Sequence, residues 1–165
     1  MENKMNTINY MRGLYSFVEE SNKIEGINRP PTKEEIDTLK WFLSLDKITI
    51  NNLIKFVGVY QPDAQFRNNA KVPSVRVGKH KPIVSSMLVE IHIQRIIEQL
   101  NNNSRSIYCN HAQYETLHPF TDCNGRSGRA LWLWQHKKYS LNFNAVLKRG
   151  FLHSWYYESL ENWRK

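Results

Sequence analysis

Apolar residues return every three or four positions along most of this chain, the period of helices that bury one face. In "MNTINYMRGLYSFVEE", residues 5–20, the stripe is Ile8, Met11, Leu14, Tyr15 and Val18. It predicts a helix that runs on through "SNKIEG" to Gly26, a residue suited to the position just past a helix end. The "NRPP" that follows breaks the chain. Thr32 and Glu35 then carry the capping-box signal of a second helix, whose apolar side is Ile36, Leu39, Phe42 and Leu43. A third helix is expected over residues 49–59, on Leu53, Ile54 and Val57.

Between 62 and 82 the period shortens. Val72, Val75 and Val77 alternate roughly with polar residues and Gly78 offers a turn, so a short hairpin is expected. Helical spacing returns in "PIVSSMLVEIHIQRIIEQL", with Met87, Leu88, Ile91, Ile96 and Leu100 expected on the inner side. It resumes over 105–117, again from 126 to about 137, and last in "FLHSWYYESLENW". The expected fold class is all-α, a compact helical domain spanning residues 1–165 with one short β-hairpin.

Composition adds bounds. A chain of 165 residues, 41% of them hydrophobic, can bury one proper core and is short for two. It has no apolar run long enough to span a membrane, and its N-terminus lacks the pattern of a secretory signal, so a cytoplasmic location is expected. Cys109 and Cys123 read as free thiols. The net charge of +8 attracts something anionic: nucleic acid, an acidic protein or nucleotide phosphates.

The densest chemistry lies in "HPFTDCNGRSGR", residues 118–129. Pro119 ends one helix and Gly125 stands near the start of the next, so the loop delivers its amides to a helix N-terminus, where open N–H groups and the dipole favour an anion. Asn124 and Gly125 give the backbone freedom to curl around a phosphate. Arg126 and Arg129, three apart, are expected to project from nearly the same face as two phosphate forks. Asp122 would repel a phosphate unless a cation such as Mg2+ intervened, and His118 can accept a proton near neutral pH. A zinc site of Cys109, His111, His118 and Cys123 is the rival arrangement. It lacks paired ligand knuckles and would set both arginines beside a cation.

This segment resembles the signature of the Fic (Fic/Doc) family, H-P-F-x-D/E-G-N-G-R-x-x-R, at every position but one. "AQFR" followed by "VRVGKHKP" is similar to the family's flap hairpin, and "WYYESL" to its last core helix. The resemblance implies an adenylyltransferase that moves AMP from ATP to a Ser, Thr or Tyr hydroxyl of a target protein. His118 would be the base, Asp122 the magnesium ligand, and Asn124, Gly125 and Arg126 the anion cradle. Arg129 would reach the γ-phosphate, and Phe120 would anchor the loop. The flap, Val75, Arg76, Val77, Gly78 and Lys79, would hold the target by strand addition.

"SNKIEG" matches the family's inhibitory pattern at Ser21, Glu25 and Gly26, placing the chain with the autoinhibited subclass that carries an N-terminal inhibitory helix, here about residues 5–26. Glu25 would pair with Arg129 and displace the γ-phosphate. The partners implied are ATP and a hydroxyl-bearing protein, the enzyme itself included, with no membrane; a homo-oligomer is compatible with this. Gly125 argues for AMP transfer over the Doc-type kinases, which carry Lys there. Cys123 departs from the family's Gly and raises two expectations: strain if φ is positive, and a reactive thiol beside two arginines. Trp155, Tyr156 and Tyr157 are candidates to stack on adenine or to fill the core. Cys123 leaves a catalytically weakened enzyme as an alternative, the +8 charge a non-catalytic basic module for nucleotides or nucleic acid, and the Glu25 helix a restrained, toxin-like role.

Overall fold

A computed structural model describes residues 2–69, 71–72, 75–77, 79–83, 86–140, 143, 147 and 154–165. Among these it forms seven helices: α1 (Glu2–Ile24), α2 (Lys33–Leu43), α3 (Ile50–Tyr60), α4 (Ser86–Asn102), α5 (Ile107–Leu117), α6 (Asn124–Tyr139) and α7 (Ser154–Trp163). The starts of α2 and α3 are fixed by reciprocal caps, Thr32 with Glu35 and Thr49 with Asn52. Helix α1 stops as a Schellman turn. Gly26, at φ 75°, donates to the Lys23 carbonyl and Ile27 to that of Asn22, each at 3.0 Å.

The α5–α6 pair forms the centre. Helices α1, α2 and α3 pack on α6, while α4 and α7 pack on α5. Helix α6 is buried along nearly every side from Arg126 to Gln135, which is why its apolar period is weak in the sequence. Its Leu131, Leu133 and Trp134 meet Leu39, Phe42, Leu53 and Phe56 in one core.

Several expected stripes are turned from where periodicity put them. On α1 the buried positions are Leu14, Phe17, Val18, Ser21 and Asn22, and Ile8 and Tyr15 face outward. The inward face of α1 ends in polar residues, so an apolar stripe drawn along it veers off line. On α3, Ile54 is exposed. On α4 the core face is Val89, Ile93, Ile96, Ile97 and Leu100, whereas Met87, Leu88 and Ile91 are 68%, 40% and 52% exposed. That helix is apolar on two sides, and spacing alone does not say which one turns inward.

Residues 70, 73, 74 and 78 of the expected hairpin lie outside the described residues. A single antiparallel bridge joins Val77 to His80, and no strand forms among the described residues. Pro73, which has no N–H to give a ladder, lies within the alternating stretch. A second bridge, Phe66 to Phe120, ties the approach to this turn onto the motif loop. No described helix is long and apolar enough to cross a membrane.

Candidate active site

The loop between α5 and α6 is held in shape by residues at its two ends and by one arginine outside it. His118 ends α5 in the left-handed region, at φ 52° and ψ 63°. This turns the chain sharply and releases the imidazole from the helix axis. Arg67, itself buried, donates to the carbonyls of Leu117 and His118 and so satisfies groups that the helix end leaves open. Phe120 is buried against Phe66, their ring centres 5.4 Å apart, as its anchoring role requires. Asn124 spends both side-chain polar atoms on the backbone of Phe120, at 2.9 and 2.8 Å, and thereby braces the loop. Its side chain is therefore committed to the loop, and only its backbone N–H is left for a ligand.

At the other end Cys123 occupies the N-cap of α6 with φ 65° and ψ 12°, again left-handed, and makes no side-chain cap. The amides of Asn124, Gly125 and Arg126 open the helix, and the first backbone bond is Ser127 N–H to the Cys123 carbonyl, 3.0 Å. The Cys123 thiol is buried, and burial pushes its pKa up to about 12 despite the opposing pull of Arg126. The reactive thiolate expected from the neighbouring arginines does not arise, because the side chain is directed into the core.

His118 Nδ1 lies 3.1 Å from the Glu115 carbonyl. A carbonyl can only accept, so Nδ1 carries the proton and Nε2 keeps its lone pair. Burial lowers the His118 pKa to about 4, and Arg164 and Arg67 nearby push the same way. At neutral pH the ring is therefore a neutral base with a fixed tautomer. Asp122 sits at the exposed mouth of the loop, one oxygen accepting from the Cys123 N–H.

The two motif arginines diverge. Arg129 is 2% exposed and is bound to the end of α1: Nε donates to Ser21 Oγ at 2.9 Å, and Nη2 to the Ser21 carbonyl at 3.0 Å and to Glu25 Oε1 at 2.6 Å. Arg126 turns the other way. It donates to the Tyr60 carbonyl at 3.0 Å and to Gln61 Oε1 at 3.2 Å, closing the end of α3. The two guanidiniums are thus held by different partners here, although Arg126 Nη2 also stands 4.0 Å from Asp122 Oδ1 at the mouth of the loop. Three residues are 60° short of a full helical turn, and each long side chain follows the nearest open carbonyl.

A cleft of about 470 Å3 gathers His118, Asp122, Asn124, Gly125, Arg129 and Glu25, with Arg76 and Val77 from the flap turn on its rim. Arg126 does not line it. Val75 is half-buried and Lys79 exposed at the turn. Gly78 and the side chains of Trp155, Tyr156 and Tyr157 lie outside the described residues. Gly125 is glycine for a local reason: a Cβ there would overlap Glu25 Oε1 and stand 2.9 Å from Arg129 Nη1. Cys109, His111, His118 and Cys123 do not converge as a zinc set; among the described residues no three side chains of ligand type gather. His111 instead bonds the Gly128 carbonyl at 3.1 Å, and burial lowers its pKa to about 3.

Three groups escaped the sequence reading. Glu115 lines the cleft fully buried, its pKa raised to about 8 by desolvation against the pull of Arg129, so it is mainly neutral at pH 7. Arg164 reaches in from the end of α7 and donates to the Glu115 carbonyl at 3.0 Å, the same oxygen that fixes His118. Glu35, read only as half of a cap, also receives Asn22 at 3.2 Å and both forks of Arg29 at 2.9 Å. The Asn22 bond pins α1 one turn before Glu25. The capping-box spacing marked Glu35 only as a cap, and nothing in the sequence points to Arg164. Compared with known proteins, the chain matches no family model and no curated protein.

Proposed function

We propose that this protein is a protein adenylyltransferase of the Fic type, moving AMP from ATP to a Ser, Thr or Tyr hydroxyl of a target protein and held off by its own Glu25. The observation that carries this reading is the gathering in one cleft of a neutral imidazole with its Nε2 lone pair open, an exposed carboxylate, the open amides of a helix start and a buried arginine. Those are the parts that attack by a hydroxyl on a nucleotide phosphate requires.

In the reaction, Nε2 of His118 takes the hydroxyl proton as the oxygen bonds to the α-phosphorus. The bond from that phosphorus to the bridging oxygen breaks, and pyrophosphate leaves. The amides of Asn124, Gly125 and Arg126 receive phosphate oxygens at the dipole end of α6, and Arg126 holds that first turn against α3. Asp122 would hold magnesium, as one exposed carboxylate shared with substrate phosphates suits that ion; when bound, it neutralises phosphate charge. Arg129, released from Glu25, would take the γ-phosphate. Gly125 stands where the Doc-type kinases carry Lys, and a side chain there would have to displace the tips of Glu25 and Arg129 while Glu25 is docked.

The test uses ATP labelled in the α- or the γ-phosphate. The Glu25→Gly protein should acquire the α-label and not the γ-label, and adding His118→Ala should lower the rate by about 10^2 or more. Incorporation of the γ-label would assign a kinase instead, and α-label incorporation indifferent to His118→Ala would remove the proposed base.

A further inference from the structure

On the far side of α5 from the motif loop, a second groove of about 350 Å3 opens between the flap turn, α4, α5 and Trp163 at the end of α7. Its floor is Ile96 and Leu117, both nearly buried. Around that apolar floor stand Lys81, Arg95, His80 and His92, and among the described residues no carboxylate lines it. His92, Arg95 and Ile96 follow three-and-four spacing, so one face of α4 supplies two basic groups and part of the floor. The groove is built rather than incidental. His80 Nε2 donates to the Thr116 carbonyl at 2.8 Å, and Arg67 donates to the Ile83 carbonyl, so the chain leaving the flap turn is fastened at both ends.

We infer that this groove docks an acidic segment of the target protein, one that sets a large apolar side chain between its carboxylates. The inference rests on the adenylyltransferase reading in that it supplies that enzyme's target with a second point of contact. Charge complementarity selects the partner: Lys81 and Arg95 flank an apolar hollow the size of one or two side chains. Continuity selects the place. His80 and Lys81 line the groove while Arg76 and Val77 line the cleft, and on α4 Leu88, one turn before His92, stands with the exposed Met87 and Ile91. Nucleic acid fits less well, since it asks for cations drawn out along a backbone and open stacking faces. Here Lys81 and Arg95 flank a single hollow, with Trp163 at its edge.

The full chain, without nucleotide, is tested by fluorescence anisotropy against a fluorescein-labelled peptide of glutamates flanking one phenylalanine. Controls are the same peptide with lysines for glutamates, the acidic peptide with alanine for phenylalanine, and a labelled single-stranded RNA. Wild type should bind the acidic phenylalanine peptide in preference to all three controls. Lys81→Glu with Arg95→Glu should weaken that binding about tenfold or more, and Trp163→Ala should erase the preference for phenylalanine over alanine. Circular dichroism checks the fold, with Lys81→Gln and Arg95→Gln in reserve should charge reversal disturb it. Absence of acidic-peptide binding, tighter RNA binding lost in the same variants, or a dimer in sedimentation that these variants dissociate would each overturn the inference. Because no ATP is present, peptide binding without AMP transfer would sink the enzyme reading alone, and transfer without peptide binding would sink the groove alone.

Discussion

Cys123 sits in a backbone conformation that costs a side chain about 1 kcal/mol or more relative to glycine, yet its thiol is buried in the core. Cys123→Gly relieves the strain and gives up that burial and some unfolded-state restriction, so its stability should stay within about 1 kcal/mol of wild type in urea unfolding. Cys123→Val, β-branched in the left-handed region, should lose about 2 kcal/mol. With the thiol inaccessible and its pKa near 12, mild peroxide should leave activity unchanged. Glu115 titrates the other way from an ordinary acid. Its pKa is raised from the usual carboxylate range to about 8, so between about 4.5 and 8 the folded protein holds a proton that the unfolded chain has released. That contribution to stability is complete below the unfolded value and is lost as pH rises through 8. Glu115→Gln keeps the neutral shape, so its urea midpoint should gain on wild type as pH climbs from 5.5 to 8. A constant difference across that range would show that Glu115 is ionised in the folded state. The depressed His111 and His118 act at the acid end. Their protonation in the unfolded chain withdraws stability as pH falls from about 6.5 toward 4 and below, in both proteins alike.

On the proposed reading, restraint by Glu25 depends on the last turn of α1. Glu25 reaches Arg129 because a Schellman turn at Gly26 ends the helix there and because Asn22 and Ser21, both buried, are bonded to Glu35 and Arg129. Burial opposes charge on Glu35, but the bonds from Arg29, Thr32 and Asn22 outweigh it and hold its pKa low. Arg29→Ala removes the bidentate partner of a buried carboxylate and should destabilise this corner by about 1–3 kcal/mol. The expected outcome is faster hydrogen exchange at residues 21–26 and self-modification between that of wild type and Glu25→Gly. Unchanged exchange there would mean that the corner does not hold the helix. This element was only half legible beforehand. The Ser21, Glu25 and Gly26 pattern anticipated the contact of Glu25 with Arg129. Burial of Ser21 and Asn22 was hidden, since a polar residue enters a core only when a distant partner waits, here Arg129 and Glu35.

At the scale of the molecule, helix order followed from periodicity and caps because both are local properties. What faces what did not. Met87, Leu88 and Ile91 have the spacing of a core stripe and lie outside, and the second apolar face of α4 forms the core instead. The motif loop was legible residue by residue because its chemistry is concentrated in twelve positions, whereas the direction of Arg126 depends on an open carbonyl at Tyr60, far away in sequence. Arg67 and Arg164 likewise reach the loop from outside it, and each acts through a backbone carbonyl that no side-chain pattern reports. The molecule that results is a helical frame holding one polar loop, with its own first helix bound to the arginine that the substrate would need. The central claim, AMP transfer restrained by Glu25, is tested most directly by intact-mass spectrometry of wild type, Glu25→Gly, and Glu25→Gly with His118→Ala after incubation with ATP and magnesium. The account predicts the added mass of AMP on Glu25→Gly at a level well above wild type, and none on the double variant. A folded Glu25→Gly protein that gains no more AMP than wild type would contradict it.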